Sequence, residues 1–132
     1  MNEALQQWID ARMSRPGTLG GGMRSPDGAS ICQSADEAFS REKVQRLLEQ
    51  LAKFQPQLFE GLPSPRWSTW RFEQGKIRCV VRPDGWLLGL VVRLESEAEQ
   101  QLDTTSDAFL ALDMNAPLAQ DEPQQANETN PQ

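Results

Sequence analysis

The sequence predicts an α/β (α+β) domain: a five-stranded antiparallel sheet sandwiched between helices, in the order helix–strand–strand–helix–strand–strand–strand–helix. Three observations predict it. The tripeptide Pro-Asp-Gly occurs twice, at Pro26–Gly28 and Pro83–Gly85, each time between strand-like runs. Proline presets φ at the first corner, aspartate bonds to nearby backbone, and glycine takes the left-handed position that closes a three-residue hairpin loop. Between these turns, residues 37–58 carry apolar side chains at helical spacing. Finally, RWSTWRFEQGKIRCVVRPDGWLLGLVVRL (66–94) reads as three strands joined by two tight turns.

The elements follow in order. Residues 2–13 form a short helix capped by Asn2, with Leu5, Trp8, Ile9 and Met13 recurring at helical spacing until Arg15-Pro16-Gly17 stops it. GTLGGGMRS is the first strand and ASICQS its partner across the first Pro-Asp-Gly turn. Gly20, Gly21 and Gly22 weaken a strand and so point to a helix packed close on its backbone. A phosphate-cradling loop is the alternative for this glycine run, but the G-x-x-x-x-G-K-[S/T] spacing it needs is missing.

In 37–58, Ser40 caps a helix whose stripe is Val44, Leu47, Leu48, Leu51, Ala52 and Phe54, with Pro56 and Gly61 marking its end. The meander is 66–73, 76–82 and 86–94. A two-residue turn at Gln74-Gly75 sets Trp70 opposite Cys79, Phe72 opposite Ile77, Trp67 opposite Arg82, Thr69 opposite Val80 and Arg71 opposite Arg78. The second Pro-Asp-Gly turn sets Arg82 opposite Trp86 and Cys79 opposite Gly89, leaving Arg82 in stacking range of Trp67 and Trp86. Strand 86–94 is apolar on both faces, which suits the centre of a sheet covered on both sides. SEAEQQLDTTSDAFLALDM holds a closing helix around Leu102, Phe109, Leu110 and Leu112. From Asn115 the chain is rich in Pro, Gln, Asn and acid and reads as disordered. This gives a single domain over 1–112 and an acidic tail over 113–132.

At 132 residues the chain suits one domain with a real core. All 13 Lys and Arg lie in 1–94 beside 10 of the 19 acids, while 95–132 hold the other 9 acids and no base. A mildly basic body with an acidic tail argues against the whole chain as a nucleic-acid binder. No apolar run is long enough to span a membrane, and MNEALQQWID lacks the cationic and greasy regions of a signal peptide. Cys32 and Cys79 are too few for a disulfide framework and read as free thiols of a reducing cytoplasm. With no histidine and only two cysteines, the common general base and a zinc set are both missing, so no catalytic, metal or cofactor-binding residue is assigned.

The order of elements resembles the roadblock / dynein light chain family, a profilin-like α/β/α group that includes bacterial regulators of small GTPases. The likeness covers roughly 3–112 and is carried by PGTLGGGMRSPDGASICQS, the helix 37–58 and TWRFEQGKIRCVVRPDGWLLGLVV. The triple glycine and the acidic tail depart from the family pattern. The resemblance implies a non-enzymatic homodimer paired through strand 66–73 and helix 40–55. Its interface residues would be Trp67, Thr69, Trp70 and Phe72 on the strand and Val44, Leu48 and Leu51 on the helix. It further implies an adaptor or regulator that binds a small Ras-like GTPase or serves a multiprotein assembly. The residues themselves leave Trp67, Trp70 and Phe72 open to a core role as well as an interface role.

Arg66, Arg71, Lys76, Arg78 and Arg82 form a basic set that is either a solvated sheet margin or a partner-binding patch centred on Arg71, Arg78 and Arg82. The acidic tail is placed to fold back over it and compete with an acidic partner. A different function class, a small acidic chaperone of secretion effectors, shares the size and charge. Such chaperones order their strands and helices differently, and the short helix followed at once by a hairpin counts against that reading.

Overall fold

The computed structural model describes residues 3–63 and 65–114. Asn2, expected as a cap, and the tail from Asn115 lie outside the described residues. Three helices and five strands follow in the expected order: α1 (Glu3–Met13), β1 (Thr18–Arg24), β2 (Ser30–Ser34), α2 (Arg41–Leu58), β3 (Trp67–Phe72), β4 (Gly75–Val81), β5 (Leu87–Arg93) and α3 (Ser96–Ala111). The sheet is antiparallel, with strand order β2-β1-β5-β4-β3. β5, apolar on both faces, occupies its centre, as that pattern requires.

Both Pro-Asp-Gly turns close hairpins of identical form. Gly28 N–H donates to the Ser25 carbonyl at 3.0 Å and Gly85 N–H to the Arg82 carbonyl at 3.0 Å. The glycines have φ of 97° and 95°, the left-handed region that a side chain disfavours. Because β1 and β5 are antiparallel neighbours, the two turns meet at one rim of the sheet. A Cβ on Gly85 would lie 3.0 Å from the Pro26 ring.

The sheet separates two apolar layers. On one face α1 and α3 bury Leu5, Trp8, Ile9, Leu102 and Phe109 against Met23, Ile31, Val80, Leu88, Leu90 and Val92. On the other, Val44, Leu48 and Leu51 of α2 pack on Cys79 and Leu87. The glycines let α2 sit close. A Cβ on Gly20 would come 2.9 Å from Val44, one on Gly22 3.1 Å from Leu48, and one on Gly89 2.8 Å from Leu48. Ser40 caps α2, its hydroxyl accepting from the Lys43 N–H at 3.3 Å.

Two local readings change. Pro56 does not end α2 but sits in its last turn, since the helix runs on to Leu58. The β3–β4 turn is Glu73-Gln74, with Gly75 already in β4 opposite Phe72. The register is therefore displaced by two residues from the expected one: Trp67 faces Val80, Ser68 faces Cys79, Thr69 faces Arg78, Trp70 faces Ile77 and Arg71 faces Lys76. A displacement of two keeps every side chain on its face, so the apolar pattern is blind to it. Gly75 is needed for space instead, because a Cβ there would lie 2.2 Å from the Val92 carbonyl oxygen. The β4–β5 register, with Cys79 opposite Gly89, is as expected.

Candidate functional site

Lys76 and Arg78 on β4 and Arg82 just beyond it face α3, and α3 answers them residue by residue. Lys76 Nζ meets Glu99 at 2.6 Å. Arg78 donates from Nε to Thr69 Oγ1 at 2.8 Å, from Nη1 to Ser106 Oγ at 3.0 Å and from Nη2 to Asp103 at 3.0 Å. Its guanidinium also lies 4.7 Å from the Trp67 ring centre. Arg82 bonds Asp84 and donates from Nη1 to the carbonyls of Phe109 at 2.6 Å and Leu112 at 2.7 Å. A cation thus sits at the C-terminal, negative end of α3. The spacing explains the match: alternate strand residues advance about 6.6 Å and helix residues four apart about 6 Å.

This corrects the reading of Arg78 and Arg82 as partner-binding groups. Arg78 is 7% exposed, and the Arg82 side chain is 12% exposed. Both are committed to docking α3, so of the expected trio only Arg71 faces solvent. The stacking of Arg82 between Trp67 and Trp86 is likewise replaced by its bonds to α3 and a contact 5.4 Å from the Phe109 ring centre. The hydrogen bond from Arg82 also holds the Asp84 carboxyl below the usual carboxylate range.

β3 is one edge of the sheet and β2 the other. The β2 edge is short, polar and tied to both neighbouring helices. Gln33 donates to Asp10 at 3.0 Å and accepts from Arg41 at 3.3 Å. β3 is the less guarded edge, carrying Trp67, Trp70 and Phe72 half-buried and Thr69 and Arg71 exposed. Trp67 contributes to the α1/α3 layer and Trp70 to the α2 layer. Phe72 stacks at 6.0 Å on Phe39.

Val44 and Leu48 are fully enclosed and Leu51 is 8% exposed. They form the inner row of α2 and are spent on the chain's own core, so a second copy would meet a different face of this helix. That face carries Phe54 and Leu58, which with Leu62 beyond the helix are exposed by 46%, 56% and 61%. The sequence signal was an apolar stripe on α2 wider than one sheet face needs. Phe54 belongs to that stripe by spacing but faces solvent, as do Leu58 and Leu62.

Beside this patch lies a groove of ≈ 730 Å³ between the end of α2, the approach to β3 and the end of α3. Pro56, Phe59, Val81 and Leu110 form apolar walls, and Arg66 and Arg82 bring charge. Gln55, 7% exposed, occupies a core-row position of α2 and lines the groove. Its Nε2 donates to Ser68 Oγ at 3.3 Å.

Cys79 is enclosed, and burial pushes its thiol up to about 12. Burial also raises the half-buried Cys32. Both are free thiols. Among the described residues no helix is long and apolar enough to cross a membrane, and no cluster of three His, Cys, Asp or Glu side chains is placed to hold a metal ion.

No protein-family model matches the sequence, and no curated protein does. Among solved structures, Myxococcus xanthus MglB is similar with a TM-score of 0.61, covering 84% of this chain and 91% of that one at 11% identity. The architecture is roadblock-like. At that identity the likeness speaks for the arrangement of helices and strands, which agrees with the expectation drawn from the sequence.

Proposed function

We propose that this chain is a non-enzymatic, cytoplasmic, dimeric adaptor of roadblock type that regulates or tethers a small Ras-like GTPase. The observation that carries the reading is the unguarded β3 edge, flanked by Phe54, Leu58 and Leu62, within a roadblock-like fold. Two copies paired through β3 would remove the bare edge, and the exposed face of α2 would meet its twin. Trp67, Thr69, Trp70 and Phe72 would lie at or beside the junction, and Arg71 would face the partner. Apolar and aromatic side chains near an edge favour such an interface over a solvated margin.

Sedimentation velocity tests the dimer. The native chain should sediment as a dimer at micromolar concentration, and Leu58→Asp, at an exposed position that the monomer tolerates, should give a folded monomer. A native chain that stays monomeric at the highest soluble concentration refutes the pairing. The GTPase reading is tested separately with a purified Ras-like GTPase of the source organism. Binding that differs between its GTP-analogue and GDP forms supports the reading. Equal failure in both forms, with retention of an unfolded effector segment instead, favours the chaperone class.

A further inference from the structure

We infer that the groove between α2 and α3 is a docking site for the chain's own segment Pro117–Glu122 (PLAQDE), which lies outside the described residues. This goes beyond the adaptor reading and does not depend on pairing through β3. Its occupant is identified by four features of the groove.

The first is an acceptor in need of a donor. Among the described residues nothing donates to Gln55 Oε1, although the side chain is enclosed and lines the groove. A buried acceptor left without a donor is unfavourable, and a turn of the Gln55 amide toward the groove would let the backbone N–H of an extended peptide supply one. The second is the apolar wall of Pro56, Phe59, Val81 and Leu110, which suits Pro117 and Leu118. The third is charge. The Arg66 side chain is 74% exposed and only loosely paired with Asp107, at 3.6 Å. Asp121 and Glu122 follow the apolar residues at once, so one extended segment presents the groove with apolar groups and then with anions.

The fourth is position. Leu110 of α3 is itself a wall of the groove, and Arg82, another wall, grips the Leu112 carbonyl. The chain therefore leaves α3 at the rim. Pro117 is five residues past that carbonyl, and an extended chain covers about 3.3–3.6 Å per residue, enough to enter the groove without strain. In this arrangement the segment covers the apolar wall and its anions lie over Arg66. Any other ligand of the groove must displace it.

The test uses the full chain labelled with ¹⁵N. Leu118→Ser, and separately the pair Asp121→Asn with Glu122→Gln, should move the resonances of the Gln55 side-chain amide, Phe59 and Leu110 while leaving those of α1 in place. A synthetic peptide spanning 115–124 should shift the same groove resonances in the Leu118→Ser chain and not in the native chain, where the site is filled. Arg66→Gln in the Leu118→Ser background should weaken that peptide by about two- to fivefold, as loss of one exposed ion pair does. Groove resonances that coincide in native and Leu118→Ser spectra overturn the inference. So do groove resonances that change on dilution in the Leu58→Asp chain, which does not pair through α2, since they assign the groove to a second copy. A groove that responds only to an added GTPase overturns it as well.

Discussion

Arg78→Ala is the sharpest probe of how α3 is held. The guanidinium makes three side-chain bonds, to Thr69, Ser106 and Asp103. The Ser106 contact is enclosed, and a charge-assisted bond in such a place contributes about 1.5–3 kcal/mol. The Asp103 carboxylate is 67% exposed, and Thr69 also faces water, so each regains solvent and adds only about 0.5 kcal/mol. The aliphatic stem and the contact with Trp67 add about 1 kcal/mol. Against this stands the relief of keeping a guanidinium out of water, which brings the net loss to about 2–4 kcal/mol. For a domain of this size that lowers Tm by about 10 °C. Arg78→Met keeps the stem and should lose about half as much. Urea unfolding gives the free energies, and amide exchange over residues 98–109 locates the loss in α3. An alanine variant within about 0.5 kcal/mol of the native chain, with α3 still protected, refutes the claim that β4 cations anchor the helix.

Gly22→Ala should destabilise by about 1–3 kcal/mol, since its Cβ would lie 2.4 Å from the Ile31 carbonyl oxygen and β1 or β2 must shift; an unchanged urea midpoint would count against the close packing. In the native chain a thiol reagent should modify Cys32 slowly and Cys79 only on unfolding, so two thiols reacting together without denaturant would contradict the enclosure of Cys79. Asp84 has a lowered folded-state pKa, so its contribution is complete above the ordinary value of 3.8 and fades as pH falls through the lowered one. Acid titration of Asp84→Asn should accordingly show a smaller loss of stability below pH 3.8 than the native chain, and identical acid transitions would remove Asp84 from the account.

Much of the fold was legible because local chemistry determined it. The Pro-Asp-Gly loops have a set length, which determined the β4–β5 register, and the two-faced apolar strand could belong only at the centre. The β3–β4 register was not legible because a slip of two residues changes no side chain's face. Gly75 looked like turn chemistry when it was needed for clearance beneath the Val92 carbonyl and the Phe72 ring. The basic set was visible but its destination was not. Like charges along β4 read as a surface until Glu99, Asp103 and Ser106 are seen at matching intervals on α3. The outer face of α2 is not separable in the sequence, because Phe54 and Leu58 continue the core stripe without entering the core. The groove needed three segments distant in sequence to be brought together, and no periodicity reports that.

The contact between the two Pro-Asp-Gly turns bears on how the chain finds its native state. Each hairpin is a local structure able to form early, but the β1–β5 seam joins the first third of the chain to the last, and such distant pairings form slowly. The touching turns stand at one end of that seam and leave little freedom for the strands to mispair once they meet. Lengthening either loop should therefore slow refolding more than it speeds unfolding, a signature of a rim that is already assembled at the top of the kinetic barrier.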